Sequence, residues 1–161
     1  MVINGRALLL DPLKCTGCHS CEAACSTVRE GVSSLVRSRI RILNFEADDF
    51  NCPIVCQQCQ TAYCALVCPT RALVKNADTG IVDWVQARCV GCKMCLVACP
   101  FGALNMGDGG KVLKCDLCSG DPVCVRFCQP GALAWGSLDE IGGGQRVKFA
   151  QTMKQAQLKE V

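Results

Sequence analysis

Sixteen of the seventeen cysteines in this 161-residue chain fall into four compact runs. They are Cys15, Cys18, Cys21 and Cys25; Cys56, Cys59, Cys64 and Cys68; Cys89, Cys92, Cys95 and Cys99; and Cys115, Cys118, Cys124 and Cys128. Only Cys52 stands outside them. Runs one and three read C-x2-C-x2-C-x3-C, and Pro100 follows the last cysteine of run three. With that spacing, three cysteines wrap a tight loop around one [4Fe-4S] cubane, while the fourth opens a helix that points toward a neighbouring cubane. Four such runs imply four [4Fe-4S] clusters with sixteen thiolate ligands.

Other uses of cysteine fit less well. A disulfide framework expects a secretory signal, an oxidising compartment and an even cysteine count. The leading MVINGRALLLDPLKC has only a short apolar patch broken by Arg6, so neither a signal peptide nor a twin-arginine leader is expected. Structural zinc uses C-x2-C pairs spaced apart along the chain, whereas here four sulfurs recur within eleven to fourteen residues, four times over. Aromatic residues make only 5% of the chain, so metal has to take the place of packing, and the metal-free chain is expected to be largely unfolded. No apolar run is long enough to span a bilayer, and the chain reads as soluble and cytoplasmic with no transmembrane segment of its own. The formal charge of +3 ignores the metal. Each oxidised cubane with its thiolates carries about −2, which brings the loaded protein to near −5. With no basic run interleaved with aromatics, nucleic acid is not an expected partner.

Three runs continue alike, as CPTRALV at Cys68, CPFGALN at Cys99 and CQPGALA at Cys128. Each reads as a helical turn carrying the fourth cysteine, a break, and a short strand beginning at Ala-Leu. Hairpins are expected from Leu73 and Val74 through NADTG to IVDW, and from Ala103 to Asn105 through GDGG to KVLK. Run one departs from this, with STVREG after Cys25 and a longer insertion through RSRIRILNF. Twenty residues separate Cys68 from Cys89, enough for one hairpin, whereas thirty separate Cys25 from Cys56. Runs two and three are therefore read as an inner module at 51–105, inserted into an outer module of 1–50 with 106–140. The alternative pairs run one with two and three with four. The fold expected is α+β: two nested two-cluster modules with short antiparallel hairpins and short helices, then a C-terminal helical tail. On the nested scheme the ligand sets are Cys15, Cys18, Cys21 with Cys128; Cys115, Cys118, Cys124 with Cys25; Cys56, Cys59, Cys64 with Cys99; and Cys89, Cys92, Cys95 with Cys68.

CTGCHSCEAAC, CQQCQTAYCALVCPTRAL, CVGCKMCLVACPFGAL and CDLCSGDPVCVRFCQPGAL resemble the motifs of four-cluster, ferredoxin-like electron-transfer subunits. That family accompanies molybdenum and tungsten pterin oxidoreductases, formate-linked hydrogenases and carbon monoxide dehydrogenases. The resemblance covers residues 1 to about 140, and in that family nested pairing is the rule. The five residues between Cys118 and Cys124 are similar to soluble members, including small subunits of tungsten aldehyde oxidoreductases. It implies a catalytic oxidoreductase partner, a further redox partner and an anaerobic setting.

Several residues outside the ligand set invite a role. Cys52, Cys56 and Cys59 spell the spacing used by radical enzymes, but run two needs two of them and the chain has no room for such a barrel, so Cys52 reads as a small buried hydrophobe, with a spare free thiol as the alternative. His19 either contacts a cluster or is a partly exposed loop residue. Lys14, Arg88 and Lys114 each precede a first cysteine and either raise cluster potentials or are ordinary solvated cations. Arg37, Arg39 and Arg41 along SRIRI suggest a strand with one charged face, solvated or meeting an acidic partner. The segment 141–161 reads as a glycine linker and a docking tail, with Val147, Ala150, Met153, Ala156 and Val161 near helical spacing. No nucleophile with a base, flavin loop or phosphate cradle is present, so the chain reads as a non-catalytic electron wire rather than an enzyme. A freely diffusing polyferredoxin is the alternative, and a cluster-delivery protein, which would leave a ligand position open, is a third.

Overall fold

The computed structural model of the chain describes residues 5–137, 139, 140, 143, 144, 146, 147, 150 and 151. Strand β1 (Arg6–Leu10) leads into run one, whose third and fourth cysteines lie within helix α1 (Ser20–Glu30). A hairpin of β2 (Arg41–Phe45) and β3 (Phe50–Ile54) follows, then run two with α2 (Tyr63–Leu66). The hairpin of β4 (Leu73–Lys75) and β5 (Val82–Trp84) leads to run three with α3 (Met94–Val97). The hairpin of β6 (Asn105–Met106) and β7 (Val112–Leu113) leads to run four with α4 (Val123–Arg126). Last comes β8 (Leu133–Ser137), which pairs antiparallel with β1 from Arg6 opposite Ser137 to Leu10 opposite Leu133. The expected α+β class is present, and both hairpins read from sequence form at β4–β5 and β6–β7.

Helix length follows from what comes after the fourth cysteine. Pro69 and Pro100 directly follow Cys68 and Cys99, and Pro130 lies two past Cys128, so α2, α3 and α4 stop after four residues each. Cys25 is followed by Ser26 instead, and α1 runs eleven residues until Gly31, at φ +72°, takes the left-handed cap. The fourth cysteines of runs two to four thus lie just past a helix rather than opening one, because it is the third cysteine of each run that sits inside the turn. In those three runs a left-handed residue, Arg71, Gly102 or Gly131, donates its N–H back to the fourth cysteine's carbonyl at 3.1–3.2 Å. That turn delivers Ala-Leu inward: Ala72, Ala103 and Ala132 are each 2% exposed, with Leu73, Leu104 and Leu133 buried beside them. Each such leucine contributes about 1.5–3 kcal/mol of burial.

The buried side chains form two cores. One gathers Leu8, Ile40, Ile42 and Leu133 with Cys21, Cys25 and Cys124, and Cys15, Cys115 and Cys128 pack against it. The other gathers Leu73, Val82, Leu104 and Val112 with Cys95, and Cys64, Cys68, Cys89 and Cys99 pack against it. Helix α1 packs on α4 and α2 on α3. The SRIRI segment is not a charged strand face. Residues 35–37 form a 3-10 turn, β2 begins only at Arg41, and all three arginines are paired within the chain. Arg37 pairs with Asp108, Arg39, only 8% exposed, pairs with Glu30, and Arg41 donates to the Leu35 and Val36 carbonyls. The described positions between 139 and 151 are helical, and Val147 and Ala150 are exposed. Met153, Ala156 and Val161 of the tail lie outside the described residues. Among the described residues no helix is long and apolar enough to cross a membrane.

Candidate iron–sulfur centres

Four loops begin alike. The second residue after the first cysteine has a left-handed backbone in every run: Gly17 at φ +67°, Gln58 at +47°, Gly91 at +68° and Leu117 at +55°. His19 and Lys93, one past the second cysteine, repeat the pattern at +58° and +65°. Non-glycine residues hold this conformation only where surroundings enforce it, and such outliers gather at functional sites. The left-handed steps curl each loop into a concave backbone that gathers its three cysteines.

The cysteines then close on chambers. Cys15, Cys18 and Cys21 line one with Cys128, about 320 Å³ including its open mouth. Cys56, Cys59 and Cys64 line a second with Cys99, about 330 Å³. Cys89, Cys92 and Cys95 line a third with Cys68, also about 330 Å³. Run four and Cys25 come together as well: Cys25 and Cys124 share the first core with Cys115 packed against it, and burial, then the charges of Cys115, Cys25 and Cys118, raise the Cys124 thiol. Three chambers of nearly the same size thus each take three thiols from one run and the fourth from another. Among the described residues no three His, Cys, Asp or Glu side chains converge tightly enough to hold a single metal ion. The thiols surround a space instead of meeting at a point, a donor arrangement that fits a polynuclear cluster. Cys52 is half-buried on β3 and is not among these lining residues.

Backbone donors serve the sulfurs repeatedly. The N–H of Ala72 donates to Cys68 Sγ at 3.2 Å, that of Ala103 to Cys99 Sγ at 3.4 Å, and that of Leu133 to Cys128 Sγ at 3.4 Å. Cys25 lacks the following turn, and its donor comes from the insertion instead, the Arg39 N–H at 3.4 Å. Within the loops, Gln58 N–H donates to Cys56 Sγ and Leu117 N–H to Cys115 Sγ. Such donors favour the anionic sulfur and tune whatever it ligates. Burial acts the other way. It pushes the Cys21 and Cys115 thiols up to about 12 and that of Cys95 to about 11, with neighbouring cysteines adding to each. Such crowded thiolates need bound cationic metal to coexist.

The other sequence candidates separate. His19 is 35% exposed at its side chain and its ring pairs with Glu22, a buried carboxylate that also accepts the Ile42 N–H at 3.2 Å. Lys14 is exposed and pairs with Asp11, and Arg88 is exposed. Lys114 alone of that trio is buried, at 6% exposure. Sequence reasoning missed Gln58, 3% exposed, whose amide links run two to the Cys115 carbonyl at 2.7 Å. The one signal available was a glutamine standing where runs one and three have glycine.

Comparison with known proteins agrees with this geometry. The family model described as a 4Fe-4S dicluster domain matches residues 48–138, which takes in runs two, three and four. The chain is similar to the beta subunit of the NADH-dependent phenylglyoxylate dehydrogenase of Aromatoleum evansii, 39% identical over 80% of this chain but only 30% of the relative. It is equally similar, at 39% identity over 75% of this chain and 70% of the relative, to the polyferredoxin-like subunit of the aliphatic sulfonate oxidoreductase of Pyrococcus furiosus. Among solved structures, the active-site complex BamBC of benzoyl coenzyme A reductase with benzoyl-CoA shares the fold. Its TM-score is 0.51 at 23% identity over 92% of this chain and 96% of that one. On its loops, its chambers and these matches, the chain belongs to the 4Fe-4S dicluster family of ferredoxin-like electron-transfer proteins.

Proposed function

We propose that the chain holds four [4Fe-4S] clusters and relays single electrons between a catalytic oxidoreductase subunit, of the molybdenum or tungsten pterin class, and a redox partner. The observation that carries this is the set of near-equal chambers, each lined by three cysteines of one run and the fourth of another. That exchange supports the ligand sets Cys15, Cys18, Cys21, Cys128; Cys25, Cys115, Cys118, Cys124; Cys56, Cys59, Cys64, Cys99; and Cys68, Cys89, Cys92, Cys95. The two cores, one with runs one and four and one with runs two and three, support nesting of residues 51–105 within 1–50 and 106–140.

When bound, the clusters supply one-electron chemistry within a span of roughly −700 to +450 mV set by their surroundings. The chain's own part is to hold, space and shield them. Neighbouring charges support a linear order: Cys21 opposes ionisation of Cys124, Cys56 that of Cys115, and Cys64 that of Cys95. The Cys15 set would then stand first, followed by the Cys115, Cys56 and Cys89 sets. Cys18 and Cys92, the exposed cysteines, lie in the two terminal sets, where electrons enter and leave.

Iron and acid-labile sulfide analysis of anaerobically isolated protein tests the cluster load: about sixteen of each per chain is expected, and stoichiometric zinc would refute it. Native chromatography of the untagged protein tests the subunit role. Co-elution with a larger chain containing molybdenum or tungsten is expected, whereas migration alone at 17.2 kDa favours a freely diffusing carrier.

A further inference from the structure

The two middle loops meet at side chains that no ligand motif requires. Gln58 Oε1 accepts the Val82 N–H at 2.9 Å and Lys114 Nζ at 3.2 Å, while Gln58 Nε2 and Lys114 Nζ both donate to the Cys115 carbonyl at 2.7 Å. From the other side, Lys75 Nζ donates to the carbonyls of Gln58 and Cys59 at 2.9 and 2.8 Å, and to that of Gly80. These partners are all neutral oxygens, and neither lysine forms an ion pair among the described residues, unlike Lys14 and Lys111. The other charges nearby are largely matched. Lys114 shares a polar cavity of about 610 Å³ with Arg29, Arg39, Asp83, Trp84 and Asp116, in which Arg29 pairs with Asp116 and Arg39 turns to Glu30. Asp83 lines the same cavity but lies beyond ion-pair distance of Lys114, its described contact being Asn76.

Lys114 acts on both sides of the junction. Its Nζ donates to the Cys115 carbonyl in run four and to Gln58 Oε1 in run two, and the Gln58 N–H in turn donates to Cys56 Sγ. A buried cation with no carboxylate partner therefore stands where the second and third anionic centres adjoin. Adding an electron to either centre increases its negative charge, and a neighbouring anion opposes that, whereas a desolvated cation favours it.

We propose that Lys114, held by Gln58, is a positioning residue for electron transfer: a fixed positive charge between the two middle clusters that raises the potential of both and keeps them from becoming a barrier along the chain. This rests on the ligand sets proposed above.

The test is an EPR-monitored redox titration of full-length, anaerobically isolated protein, with iron and sulfide measured on the same samples. Lys114→Met should retain full iron and move two of four midpoints negative by at least about tenfold in the reduction equilibrium, or about 59 mV for a one-electron couple. Lys114→Arg should restore them, and Lys14→Met, an exposed lysine ahead of Cys15, should move none. Should Lys114→Met lose iron, Gln58→Glu is the second arm, setting a carboxylate against Lys114 and lowering the same two midpoints. Four unmoved midpoints in an iron-replete variant, an equal shift of all four, or loss of iron from both variants overturns the proposal. Wild-type iron far below four clusters would sink the ligand sets themselves, before any variant is compared.

Discussion

Burial opposes ionisation of the Cys21, Cys95 and Cys115 thiols, and the charges of neighbouring thiols add to it. Their folded pKa values of about 12, 11 and 12 lie above the ordinary value of 9.0. The contribution these three thiols make to the metal-free fold is therefore present below pH 9 and is lost as pH rises toward 11 and 12. Loading metal displaces those protons, so the loaded state binds fewer of them and acid favours release. Cluster absorbance followed anaerobically after dilution should accordingly decay faster at pH 6 than at pH 8. Ligand exchange gives a second expectation. Cys128→Ser should remove roughly a quarter of the iron and alter the centre built on Cys15, Cys18 and Cys21, leaving that of Cys115 and Cys118 intact by EPR. The four loops were legible because their cysteine spacing repeats along the chain. Gln58 was not, since its partners Val82 and Cys115 lie 24 and 57 residues away.

At the scale of elements, the loops of runs one and three share a backbone yet differ in what surrounds their glycines. A Cβ at Gly17 would lie 2.7 Å from Asn51 Oδ1 and 3.0 Å from Asn44 Nδ2, whereas at Gly91 it would meet only the Gly110 carbonyl at 3.8 Å. Asn51 Nδ2 donates to the Cys15 carbonyl at 3.4 Å, fastening loop one to β3, so displacing it loosens the loop. Left-handed strain costs about 1–2 kcal/mol at either site. Gly17→Ala should therefore lower the thermal midpoint of the loaded protein more than Gly91→Ala, measured by the loss of cluster absorbance on heating. The hairpins at β4–β5 and β6–β7 could be read ahead because Asn, Asp and Gly punctuate them locally. The β2–β3 hairpin and the arginines before it could not. Alternating arginine suggested a solvated strand, but Glu22 and Glu30 of α1 and Asp108 between β6 and β7 take up those side chains.

Across the whole molecule, metal decides the sign of the charge. The bare chain is formally +3, and four oxidised centres would bring it to about −5. Native isoelectric focusing should place the loaded protein on the acidic side of neutrality and the stripped chain on the basic side; a loaded protein that still focuses as a base would contradict four clusters. The α+β class was open to reading because local turn and break residues mark its short hairpins and helices. The strand that seals the arrangement was hidden, since RALLL and LAWGS are 122 residues or more apart in sequence and neither carries a turn signal that names the other. That pairing also has a meaning in time. A ribosome releases Arg6–Leu10 well before Leu133–Ser137, so β1 waits for its partner while all four cysteine runs are made. Runs two and three emerge complete well before then. Runs two and three can therefore be in place before β1 meets β8.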